Sequence, residues 1–171
     1  MTLLDAPKFD EVRERRNQKL IFGGVGAMIL LVVGFWLVSG RPVDWPWNWY
    51  SHLCGRVTVN HFFAEVEKND LQSAYGIWVH DKNWQQHSKA HTYTFERFQQ
   101  DWSPESPDNE YGAIKSHRIA ATHIHGNVLM VGIFVNERKS KAINLDYDPK
   151  THELNFSPDF VQFFEGAGGI S

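Results

Sequence analysis

The stretch Leu20–Val38, LIFGGVGAMILLVVGFWLV, carries no charged residue. At a rise of ~1.5 Å per residue, a helix over it is about 28 Å long, close to the ~30 Å hydrocarbon core of a bilayer. It has no polar side, so it does not suit a helix half-buried in a soluble domain, which needs one. It is also longer than the apolar core of about 7–15 residues in a cleavable leader, and Leu37-Val38-Ser39-Gly40 is a poor small-x-small cleavage site. The segment reads as an uncleaved, single-pass anchor that meets lipid through residues 20–38, with residues 20–40 as the transmembrane helix.

Charge sets the expected orientation. Residues 1–19 hold five basic and four acidic residues, and Arg13, Arg15, Arg16 and Lys19 lie just before the apolar run. On the far side only Arg41 and Arg56 fall within counting distance. The positive-inside rule puts 1–19 in the cytoplasm and everything from residue 41 in the periplasm or outside the cell, on the cytoplasmic membrane of a bacterium. Gly23 and Ala27 make a small-xxx-small pair that lets a second helix approach. A homo-oligomer or a membrane-protein partner is expected.

The run RPVDWPWNWY follows at 41–50. Trp45, Trp47, Trp49 and Tyr50, with Trp36 before them, are expected at the membrane interface, because amphipathic rings favour headgroup depth. Pro42 and Pro46 end the helix and stiffen its exit. Residues 41–54 are taken as a linker.

Residues 55–160 remain for one domain, and 161–171, ending GAGGIS, for a flexible tail. A chain of 42% hydrophobic and 14% aromatic residues does not have a disordered composition. Beyond residue 19 there are twelve basic and sixteen acidic residues, so the footprint for nucleic acid is missing. The single cysteine, Cys54, excludes an intramolecular disulfide and reads as a free thiol.

From Gly55 onward, Val57, Val59, Phe62, Phe63, Val66, Leu71, Ala74, Tyr75 and Trp78 recur at three- and four-residue steps. Lys68-Asn69-Asp70 divides them into helices at about 56–68 and 70–78. Residues 80–91 read as a loop and 94–102 as a short helix. A strand meander then begins. Lys115–His125 turns at Gly126-Asn127 into Val128–Asn136, and Lys141–Asp148 turns at Pro149–His152 into Glu153–Phe156. A tight first hairpin pairs His123 with Met130, and a four-residue second turn pairs Asn136 with Lys141, so that Met130 meets Tyr147. On that register the helices cover Ile119, Ala121, His123, Met130, Gly132, Phe134, Ile143, Leu145 and Tyr147. The other face, with Leu129, Val131, Ile133 and Val135, is too apolar for water and is expected to meet a partner.

The order VNHFFAEVEKNDLQSAYGIW, TFERFQQDW, SHRIAATHIHGNVLMVGIFV, KAINLDYD resembles the nuclear-transport-factor-2-like superfamily, including its SnoaL-like members, over residues 55–160. The resemblance implies an α+β domain of two or three helices on an antiparallel meander of about four strands, forming a cone. It also implies either a non-catalytic binding or assembly module, or a small-molecule isomerase or dehydratase working in the cone pocket.

Candidate chemistry is sparse. His123 beside Tyr147 is the best acid/base pair, since an imidazole titrates near neutral pH and a phenol can polarise a carbonyl. His123 and His125 share a strand face, and His87 and His91 are four apart, but no metal-ligand motif accompanies them. Asn155-Phe156-Ser157 matches a glycosylation acceptor by chance. No cofactor and no metal are implied. The leading expectation is a membrane-anchored binding or assembly module; a tethered enzyme is the alternative.

Overall fold

A computed structural model describes residues 11–87, 91–137 and 142–158. The expected tail at 161–171 lies outside the described residues, as does Lys141. The chain divides into two units, one ending at Arg41 and the other beginning at Pro42.

The first unit is one helix, α1 (Glu11–Val38). Arg13–Val38 is long and apolar enough to cross a membrane. Leu20, Phe22, Leu30 and Leu31 are exposed along it. Glu11–Lys19, the charged segment just before the apolar run, is already helical and holds no proline or glycine. It stops before Pro42. Gly40 takes φ +90, its N–H donates to Leu37 O at 3.2 Å, and Arg41 N–H donates to Trp36 O at 3.0 Å. Those two bonds are a Schellman stop, which needs a left-handed residue at the glycine position.

The second unit is α+β. A 3-10 turn, Pro46–Asn48, leads directly into α2 (Trp49–Glu67). The linker expected at 41–54 is therefore helical from Trp49. Gly55, read from sequence as the helix start, sits inside α2. A Cβ there would lie 2.5 Å from Leu129 Cδ2 and 3.1 Å from Tyr147 Cδ1. The glycine permits contact between helix and sheet; it does not break the helix. Asn69 at φ +59 ends α2, and Asp70 caps α3 (Leu71–Trp78) through Ser73 N–H at 3.0 Å. Thr94 caps α4 (Phe95–Trp102).

Four antiparallel strands follow in the order β1-β2-β3-β4: β1 (His117–His125), β2 (Val128–Val135), β3 (Ala142–Tyr147) and β4 (Leu154–Phe156). The β1–β2 hairpin closes as expected, with His125 opposite Val128 and His123 opposite Met130. Two details differ from expectation, and they change which face is inside. A bulge between Ile119 and Ala121 moves Ile119 to the other side. Across β2 and β3, Tyr147 meets Leu129 and Asp146 meets Met130, one residue off the expected register. The reason is Asn136. Its N–H donates to Ser116 O at 2.9 Å, its Nδ2 donates to Ala113 O at 2.8 Å, and its Oδ1 accepts from Lys115 N–H at 2.7 Å. Asn136 and Glu137 both take positive φ.

A one-residue slip exchanges the two faces of a strand. Leu129, Val131, Ile133 and Val135, expected to meet a partner, are instead the floor of the core with Ile143, Leu145 and Tyr147. Against that floor pack Phe62, Phe63, Tyr75, Trp78, Phe98 and Trp102, all at most 2% exposed. Phe62 alone has ring neighbours at 4.9 to 6.1 Å in Phe63, Trp78, Phe98 and Trp102. Edge-to-face pairs of this kind add about 0.5–1.5 kcal/mol each beyond burial.

Candidate functional site

Two sets of polar groups flank α2. On the flank toward β1, His52 is fully buried near the helix start. Its Nδ1 lies 2.7 Å from Thr122 Oγ1 and its Nε2 lies 2.6 Å from Asp44 Oδ2. A ring protonated on Nε2 donates to Asp44 and accepts from the Thr122 hydroxyl. A doubly protonated ring donates to both. Farther along the same flank, His117 Nδ1 is 2.7 Å from Glu67 Oε1, its Nε2 is 3.1 Å from Asn60 Oδ1, and its ring stacks on Phe63 at 5.2 Å. Two imidazoles thus pin the start and the middle of β1 to α2.

The other flank faces β3. The Tyr147 ring lies against Gly55, and its hydroxyl meets His152 Nδ1 at 2.5 Å. Burial, and then the neighbouring Cys54, push the Tyr147 phenol up to about 12, while a hydrogen bond with Thr58 pulls the other way. The His152 ring lies 5.1 Å from that of His80.

The expected pair His123 and Tyr147 does not form. Tyr147 belongs to the helix side, 1% exposed, whereas His123 pairs with Met130 on the opposite face and is exposed. The slip at Asn136 separates them. The space between helices and sheet, where a cone pocket would lie, is filled by Phe62, Phe63 and Trp78. His87 and His91 meet one carboxylate, Asp81 Oδ2, at 2.8 and 3.6 Å. Among the described residues no group of three histidine, cysteine, aspartate or glutamate side chains is placed to hold a metal ion.

The residues expected at the membrane interface divide. Trp45, Trp47 and Tyr50 are exposed, and the first two stack at 5.0 Å with planes 3° apart. Trp49 turns inward, and its Nε1 donates to Asp44 O at 3.0 Å. Trp36 lies in α1 and is half-buried.

A groove of about 780 Å³ runs between α2 and α3, with Thr58, His61, Gln72, His80, Lys82 and Trp84 among its lining residues. It offers imidazole, ammonium and amide donors around an indole. Sequence reasoning missed His61 and His80 because they lie on different elements. It missed His52 because nothing near it in the chain announces Thr122.

Compared with known protein families, with curated proteins and with solved structures, the chain matches none.

Proposed function

We propose that this chain is a single-pass, membrane-anchored binding or assembly module. On this reading, residues 1–19 lie in the cytoplasm and the α+β unit in the periplasm or outside the cell. The observation that carries the reading is α1: an apolar helix whose large side chains are exposed, including Phe22, Leu30 and Leu31 at 74%. Each such side chain gains about 1.5–3 kcal/mol by leaving water, and lipid can take all of them at once. The excess of arginine and lysine before Leu20 supports the orientation.

The order of helices and strands supports membership of the nuclear-transport-factor-2-like superfamily. A binding role is favoured over an enzymatic one because the interior is filled by aromatic rings and because His123 and Tyr147 lie on opposite faces of the sheet. Self-association or a membrane-protein partner remains part of the proposal. Gly23, Gly24 and Gly26 have open space where a Cβ would be, room for a second helix to come close.

The test is extraction and protease access on cells expressing the full chain. The protein should stay in the membrane pellet after an alkaline wash and dissolve only in detergent. Protease added to intact spheroplasts should digest the part after residue 41. Release by the wash would remove the anchor; protection of the domain would reverse the orientation.

A further inference from the structure

We propose that Val43, Trp45, Trp47 and Tyr50 form a rigid docking surface for lipid headgroups on the folded unit, held in place by the Asp44–His52–Thr122 bridge. This rests on the anchored reading above.

The first observation is the exposure of the rings. Val43 is fully exposed, and Trp45, Trp47 and Tyr50 are exposed by 67, 71 and 63%. Water is a poor environment for such a cluster, and the headgroup region, apolar on one side and wet on the other, is a good one. The Trp45 and Trp47 rings are already parallel, so little side-chain freedom remains to be lost on binding.

The second observation is reach. Only seven Cα–Cα steps separate Val38, the end of α1, from Trp45. Fully extended they span about 25 Å. A helix that crosses a bilayer therefore keeps these rings within about 25 Å of the end of α1, a distance from which they can reach the headgroups.

The third is the treatment of charge. Asp44 is the sole acidic residue in 41–50. A carboxylate among the rings would be repelled by lipid phosphates. Its Oδ2 instead meets the buried His52 ring, and its backbone oxygen accepts from Trp49. The same two contacts fix the segment. Trp45 O then accepts from Asn48 N–H at 2.9 Å and closes the turn that carries Trp47. Through His52 the rings are referred to Thr122, on the inner face of the sheet. Thr122 is thus a positioning residue for a surface it does not touch.

The experiment uses the full chain in nanodiscs of phosphatidylcholine and phosphatidylglycerol, with bromine on the acyl chains at a shallow or a deep position, and reads tryptophan quenching. The variants are Trp36→Phe, the double variant Trp45→Phe/Trp47→Phe, Thr122→Val and Thr122→Ser. The double variant should lose much of the shallow quenching. Thr122→Val should shrink the shallow component while far-ultraviolet circular dichroism stays unchanged, and Thr122→Ser should restore it. If Trp36→Phe removes all quenching and the double variant none, α1 is in lipid but the docking surface is wrong. If no variant is quenched at either depth, the anchor itself is wrong. If the double variant leaves quenching unchanged but lowers the particle mass in ultracentrifugation, the surface binds a second copy and the proposal falls.

Discussion

His52 Nδ1 and Thr122 Oγ1 lie 2.7 Å apart although seventy residues separate them in the chain. The bond joins the first turn of α2 to the middle of β1, in a place with no solvent access at the ring. A buried imidazole without partners would leave two polar atoms unsatisfied. Asp44 and Thr122 satisfy one each. Removing one partner of a buried polar group costs about 1–3 kcal/mol. Thr122→Val should therefore destabilise the second unit by about that much, and His52→Leu by less, since the Asp44 and Thr122 side chains it leaves are partly exposed and can turn to water. Urea midpoints in detergent would measure both.

Gly55→Ala should cost about 1–3 kcal/mol, the usual range for overpacking. The new methyl would lie 2.5 Å from Leu129 Cδ2 and close to the Tyr147 ring, so both buried side chains must move. An alanine in mid-helix would otherwise be a gain over glycine. A variant more stable than the parent in the same urea assay would refute the close approach of α2 to the sheet.

Phe62→Ala should cost about 3–5 kcal/mol, because it opens a cavity among four aromatic neighbours. Val131→Asp should prevent folding of the unit, since it places a carboxylate in the core floor. His123→Ala, on the outer face, should change stability little. Tolerance of Val131→Asp would restore the face assignment expected from sequence, and circular dichroism of the three purified variants decides it.

Tyr147 sets an alkaline limit. Burial raises its folded value to about 12, whereas an unfolded tyrosine titrates near 10. Below about 10 both states keep the proton and nothing is lost. Between about 10 and 12 the unfolded chain gives up its proton more readily, so stability falls as pH rises. A tyrosinate absorbance titration should show a late component near 12 that Tyr147→Phe removes.

Asp70 acts at the other end of the scale. Ser73 donates to it from its N–H at 3.0 Å and from its hydroxyl at 2.7 Å, which holds the carboxyl below the usual carboxylate range. Its contribution to α3 is fully present above that range and disappears as pH falls through the depressed value. Asp70→Asn keeps a capping side chain that does not titrate. The variant should lose less stability than the parent between neutral and acid pH, as urea midpoints at several pH values would reveal.

What could be read from sequence in this protein depended on near neighbours. Leu20–Val38 is apolar whatever surrounds it. Lys68-Asn69-Asp70 and Gly126-Asn127 act on backbone within a few residues, so the break between α2 and α3 and the first hairpin were legible, along with the α+β order. The second hairpin was not, because its register depends on Asn136 bonding to Ala113, Lys115 and Ser116, twenty or more residues away. Hydrophobic pattern offered no correction. β2 is apolar on both faces, with Leu129, Val131 and Ile133 on one and Met130 and Phe134 on the other, so a slip by one residue satisfies burial equally well. That slip decided which residues form the core and separated His123 from Tyr147. The grouping of Asp44, His52 and Thr122 is likewise tertiary: each residue is unremarkable in its own stretch, and only the packing of α2 on β1 brings them within hydrogen-bond distance.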